Sequence, residues 1–130
     1  MGDSMKKVII IDDSAMARMF TRRCLEMAGL ECERITEYES AKDAMSTLMD
    51  PDVDLMIVDL VMPGVTGKHF LQMRKNSGAK ATAIVVSSAV NATVEKELKE
   101  LGASLILKKP ITPAAAAQAI AIAEEALDAR

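Results

Sequence analysis

Aromatic side chains are nearly missing from this chain. Tyr38, Phe20 and Phe70 are the only three, and tryptophan is absent. A platform for stacking nucleobases or a flavin ring has little to be built from. Cysteine is scarce too: Cys24 and Cys32 form neither a metal-ligand spacing nor a disulfide framework, and read as small buried hydrophobes. His69 is the single histidine and has no second ligand or acid close by in sequence, so soft-metal chemistry lacks its donors. Positive charge is not in excess, with 16 Lys and Arg against 19 Asp and Glu and a net charge of −3. No basic cluster exceeds two residues, so nucleic-acid binding by this chain is not expected. Apolar runs break off well short of the roughly 18 to 20 residues of a membrane span, and residues 1–7 lack the apolar centre of a signal peptide. A cytosolic protein without membrane contact is the expectation.

What remains is a chain of 130 residues, 50% hydrophobic and 27% charged, which is enough for one compact domain. Residues 1–5 read as a disordered N-terminus and 6–130 as the domain. Strand-like apolar runs fall at Lys7–Ile11, Glu33–Thr36, Leu55–Asp59, Ala83–Ser87 and Leu105–Lys108. Helical spacing fills the gaps at Ser14–Ala28, Ser40–Met49, Gly67–Lys75, Ala92–Leu101 and Pro113–Ala129. Ser14, Ser40 and Thr112 are candidate N-caps, and Gly29 and Gly102 stand just past two helices. Strict alternation of strand and helix predicts a doubly wound α/β fold, a parallel sheet covered on both faces by five helices in three layers. The ten methionines, with a stripe on the first helix that includes Met16 and Met19 near Phe20, are expected to fill the core in place of aromatics.

Acidic residues end two of the strands. Asp12 and Asp13 follow the first, in "VIIIDDSAMARM", and Asp59 closes the third, in "DLMIVDLVMPG". Ser87 and Ser88 close the fourth, and Lys109-Pro110 follows the fifth. Doubly wound sheets bind ligands at the carboxyl ends of their strands, beside the switch point. If strands one and three are neighbours, three carboxylates meet in one small volume and cannot stay ionised and dry together. A hard divalent cation resolves the repulsion, and Mg²⁺ suits carboxylates that share it with water and phosphate oxygens. A lysine and a hydroxyl beside such a site are partners for a phosphoryl group in transfer, with Asp59 as a candidate acceptor.

With these motifs in order, the chain resembles a response-regulator receiver domain, the CheY-like class of bacterial two-component signalling, from about Lys6 to Ala129. The residues that carry the resemblance are Asp12 and Asp13, Asp59 with Met62, Pro63, Gly64 and Gly67, Ser87, Gly102 to Ser104, and Lys109-Pro110. It implies the flavodoxin-like strand order 2-1-3-4-5. It also implies that Asp59 is the phosphoacceptor, that Asp13, Asp59 and the Val61 carbonyl bind Mg²⁺ with Asp12 helping through water, that Lys109 pairs with the phosphoryl group, and that the Lys109-Pro110 peptide is cis. Ser87 keeps the family's 22-residue separation from Lys109, and Ser88 remains the alternative hydroxyl. Ile106 stands where many receivers carry an aromatic switch residue, so any switch must run through Ser87, the Ala89–Thr93 loop and the fourth helix. Val61 and Ala89 stand at the two positions flanking the path of a hydrolytic water, and both are apolar.

The resemblance implies a signalling phosphoacceptor rather than an enzyme, with self-phosphorylation and self-dephosphorylation as its only chemistry. Its partners would be a histidine kinase or phosphotransfer protein and an unidentified downstream protein. With no further domain in the sequence, a stand-alone receiver acting by protein contact is expected. The fifth helix, "PAAAAQAIAIAEEALDAR", has a small-residue surface that leaves room for a weak homodimer through the fourth and fifth helices, although alanine also serves simply as the best helix former. Two other readings stand beside this one. A haloacid-dehalogenase-type phosphatase would need an acid two positions after its nucleophile, where Asp12 is followed by Ser14, and a cap domain. An unphosphorylated receiver-like binding module is opposed only by the intact acids. A flavodoxin-like carrier is disfavoured, because Asp12 and Asp13 would repel a flavin phosphate.

Overall fold

A computed structural model describes residues 4–62 and 64–130; residues 1–3 and Pro63 of the Asp-Met-Pro-Gly motif lie outside them. Five strands, β1 (Met5–Ile11), β2 (Cys32–Tyr38), β3 (Val53–Asp59), β4 (Thr82–Ser87) and β5 (Leu105–Lys108), form one sheet in the order β2-β1-β3-β4-β5. Every pairing is parallel. The strands alternate with α1 (Ala15–Met27), α2 (Ala41–Ala44), α3 (Gly67–Ser77), α4 (Ala92–Glu100) and α5 (Pro113–Asp128). Strand β1 begins within the segment expected to be disordered, because Met5 is buried and its amide bonds the Glu31 carbonyl at 3.2 Å.

The helix starts follow local chemistry. Ser14, Ser40, Thr66, Asn91 and Thr112 each accept a hydrogen bond from the amide three residues on, which satisfies a donor the helix itself cannot. The second helical segment is not one helix: after Ala44 it tightens into a 3-10 turn over Met45–Met49. Thr47 Oγ1 donates back to the Ala44 carbonyl at 2.6 Å, and Pro51 holds Asp50 extended, so an α-helical ladder cannot continue.

Period-two alternation divides the core between the two faces. Val8, Ile10, Leu55, Ile57, Ile84 and Val86 meet Leu25 of α1 and Ala116, Ala119, Ile120 and Ala123 of α5. Ile9, Ile11, Met56 and Val58 face the other way onto Ala41 and Ala44 of α2 and Phe70 of α3. A third cluster, Leu71, Ala83, Val85, Leu98 and Ala103, seats α3 and α4. Beneath the sheet, the buried Asp54 carboxylate is satisfied by the Lys6 amide at 2.7 Å and Arg130 at 2.8 Å.

The methionine expectation fails on α1. Thr21, Cys24 and Leu25 are its buried residues, whereas Met16, Met19, Phe20 and Met27 are 75%, 49%, 47% and 74% exposed. The helix carries two apolar stripes, and the smaller side chains face the sheet because they let α1 pack beside α5. Elsewhere Met5, Met56 and Met62 do fill the core.

Candidate functional site

Strands β1 and β3 are neighbours, so their carboxyl ends bring Asp12, Asp13 and Asp59 together; one carboxylate oxygen from each lies within 4.8 Å of the others. Asp12 and Asp59 are buried and Asp13 is exposed. Lys109 reaches in from the loop after β5, with Nζ 2.7 Å from Asp12 Oδ2 and 3.3 Å from Asp59 Oδ1. Its peptide bond to Pro110 is cis, and its amide donates to the Ser87 carbonyl at 2.9 Å. The β3–α3 loop closes tightly under Asp59. The Gly67 amide donates to the Leu60 carbonyl at 3.1 Å, and a Cβ on Gly67 would overlap the Asp59 carbonyl oxygen. Only glycine fits there.

Burial, reinforced by the Asp12 charge, pushes the Asp59 carboxyl up, while Lys109 and the Val61 amide pull it down without cancelling the effect. Burial opposes the Lys109 charge, but the hydrogen bond it donates to Asp12 and the charges of both acids outweigh it and hold the ammonium above its usual range. One ammonium faces three carboxylates, so negative charge is left over. The donors are all hard oxygen atoms with part of the site open at Asp13, a set that fits Mg²⁺ and offers nothing to a soft metal.

Ser87 is the last residue of β4 and is buried. Its Oγ accepts from the Ala89 amide at 3.2 Å and donates to the Ala89 carbonyl at 3.4 Å. Ser88 is exposed. Val61, at 68% exposure, and Ala89 both lie on the solvent side of the loops that follow β3 and β4. Ile106 is half-buried and packs with Leu60, Val94 and Leu101 against the α3–α4 cluster. His69 is exposed, and its amide donates to the Thr66 cap.

Two contributors escaped the sequence reading. Arg18 of α1 donates to the Asp12 carbonyl at 2.6 Å, and a groove of about 680 Å³ runs beside Lys109, lined by Met16, Phe20, Val86, Pro110 and Ile111. The signal for the groove was present as the exposed methionine stripe. For Arg18 the signal was a base one turn into the helix, on the side that turns back to the acidic loop.

The raised Asp59 pKa fixes the sign of a stability change. Below the ordinary carboxylate range the group is protonated whether the chain is folded or not. As pH rises through the folded-state pKa, ionisation costs the folded state and stability is lost. Without divalent cations, Asp59→Asn is therefore expected to be more stable than wild type at neutral pH, with the advantage vanishing at acid pH; Lys109 keeps its Asp12 partner in the variant. Urea unfolding in chelator across a pH series checks this, and a pH-independent difference would contradict it.

The response regulator receiver domain family matches residues 8–121. The sensory/regulatory protein RpfC of Xanthomonas campestris pv. campestris is 36% identical over 112 residues, which are 83% of this chain and 15% of that protein. The transcriptional regulatory protein DcuR of Escherichia coli K12 is 32% identical over 108 residues, 82% of this chain and 45% of that protein. The chain thus spans less than half the length of these curated relatives. Among solved structures, a CheY-like response regulator receiver domain protein of Methanospirillum hungatei JF-1 superposes with a TM-score of 0.80 at 20% identity, covering 98% of this chain and 100% of that one. The chemotaxis protein CheY4 of Vibrio cholerae does so with a TM-score of 0.76 at 26% identity, covering 92% and 99%. With its five-stranded sheet and its acids at the carboxyl edge, the chain belongs to the response regulator receiver domain family of two-component systems.

Proposed function

We propose that Asp59 accepts a phosphoryl group from the phosphohistidine of a histidine kinase or phosphotransfer protein, in a reaction that depends on Mg²⁺, and that the chain then signals by contact with another protein. The observation that carries this reading is Lys109 bridging Asp12 and Asp59 inside a cluster of three acids. An Asp59 oxygen attacks phosphorus, the phosphorus–nitrogen bond breaks, and its electron pair leaves with the imidazole. Lys109 is already within reach and needs only to trade its carboxylate contacts for a phosphoryl oxygen. The Ser87 hydroxyl can rotate from the Ala89 carbonyl to donate to another. Asp12, Asp13 and Asp59, with the Val61 carbonyl, would hold Mg²⁺, which when bound neutralises carboxylate and phosphoryl charge together. The chain's own chemistry goes no further than gaining and losing this group.

The apolar groove supports the choice of donor. Lys109 lines both the groove and the acidic site, so a helix that presents a phosphohistidine could bury its apolar face on Met16 and Phe20 while its imidazole reaches Asp59. Downstream of the site, Leu60 follows the phosphoacceptor directly and, like Ile106 and Val94, packs against the cluster that seats α4, which gives α4 a packed route to sense the site without an aromatic switch.

Incubation with acetyl phosphate and Mg²⁺ should add one phosphoryl mass to the intact protein, and Asp59→Asn should abolish it. No labelling of wild type under conditions that label another receiver would overturn the proposal.

The lifetime of the group follows from Val61 and Ala89. Neither side chain can orient a water for in-line attack, and the exposed Val61 shields the approach. Introducing polar groups in Val61→Asn/Ala89→Glu should speed loss of the phosphoryl group by about ten- to a hundredfold, which corresponds to about 1.4 to 2.7 kcal/mol of barrier. Equal half-lives with Mg²⁺ present would show that these side chains do not set the duration.

A further inference from the structure

Asp12 is held at every polar atom it has. Its amide donates to the Tyr38 carbonyl at 3.1 Å, Oδ1 accepts from the Ser14 amide at 2.9 Å, Oδ2 accepts from Lys109 at 2.7 Å, and its carbonyl accepts from Arg18 Nη1 at 2.6 Å. The last contact stands apart, because a guanidinium beside a cluster of acids that would hold a cation works against that cation by charge alone. The Arg18 side chain is nevertheless only 15% exposed and fixed on both sides. Its Nε donates to Glu37 Oε1 at 3.2 Å, and Glu37 Oε2 lies 3.4 Å from Arg22 Nε, while Arg22 Nη2 donates to the Ile35 carbonyl at 2.8 Å. The end of β2 and the second turn of α1 are thereby clamped onto the peptide that joins Asp12 to Asp13.

We infer that Arg18 is a positioning residue for the divalent-cation site: by gripping the Asp12 carbonyl it fixes the plane of the Asp12–Asp13 peptide and so aims the exposed Asp13 carboxylate, and Glu37 fixes Arg18 and offsets its charge. The inference rests on the reading that Asp12, Asp13 and Asp59 bind Mg²⁺. The carbonyl cannot turn away while a charge-assisted hydrogen bond holds it. Asp13, which carries no such restraint of its own among the described hydrogen bonds, inherits its direction from that peptide. The arrangement is the backbone equivalent of an outer partner that orients a metal ligand.

The test turns on sign. Arg18→Met keeps the apolar stem and removes both charge and donor. If Arg18 acted only through its charge, its removal would tighten Mg²⁺ binding; as a positioning residue, its removal should weaken binding by about ten- to a hundredfold. Isothermal titration with MgCl₂ at two ionic strengths reads the dissociation constant, and the weakening should persist at the higher salt, where a bare charge effect fades. In acetyl phosphate labelling, the half-saturating Mg²⁺ concentration should rise while the rate at saturating Mg²⁺ stays near wild type. A purely structural role would lower unfolding stability without moving the dissociation constant. Arg18→Gln, which is too short to span the carbonyl and Glu37, provides the same comparison should Arg18→Met not fold. Unchanged or tighter Mg²⁺ binding in the folded variant would overturn the inference while leaving the proposed function intact. Failure of wild type itself to bind Mg²⁺ would overturn both.

Discussion

Mutual repulsion among Asp12, Asp13 and Asp59 is the constraint around which this fold is arranged. Two of the three are buried, and the parallel β1–β3 pairing leaves them no means of separating. The sheet holds them with the help of Lys109, which reaches in from the loop after β5 to stand between Asp12 and Asp59. Two features near the carboxyl edge hold the surrounding loops: the loop that carries Lys109 is tied to β4 through the Ser87 carbonyl, and the loop after Asp59 is drawn in by Gly67. Charge is stored there, with Asp59 pushed up by burial, and any ligand that relieves it is bound at the expense of that repulsion.

Packing carries the consequence outward in two directions. Leu60 leads from the end of β3 into the cluster beneath α4, where Ile106 and Val94 also lie. Aliphatic contacts thus connect the residue after Asp59 to the cluster that seats α4. On the opposite side, α1 turns Met16, Phe20 and Met27 to solvent rather than to the core. Flexible, polarizable side chains beside the acidic site make a surface that can adapt to different contacts.

The sequence made the alternation of elements, the strand-end acids and the placement of Lys109 legible, since period-two apolar runs and short capping residues act locally and leave marks in the letters. The strand order was reached through resemblance to a family, and the β-pairings bear it out. What escaped depends on three-dimensional partners. Apolar residues of α1 have helical spacing on both sides of the helix, so periodicity alone could not tell which stripe meets the sheet. The break after Ala44 comes from one threonine hydroxyl competing with the helix ladder and one proline downstream, each weak in isolation. Arg18 left only a weak signal, because its partner is a backbone carbonyl, which has no letter of its own.

The most direct measurement of whether the acids form a cation site is thermal unfolding over a Mg²⁺ titration, in wild type and in Asp13→Ala. Relief of carboxylate repulsion requires the wild-type midpoint to climb with the logarithm of Mg²⁺ concentration above Kd, by the equivalent of about 2.7 kcal/mol at a hundred times Kd, and requires Asp13→Ala to stay nearly flat. An Asp13→Ala protein that keeps the full Mg²⁺-dependent rise, or a wild type with none, would contradict it.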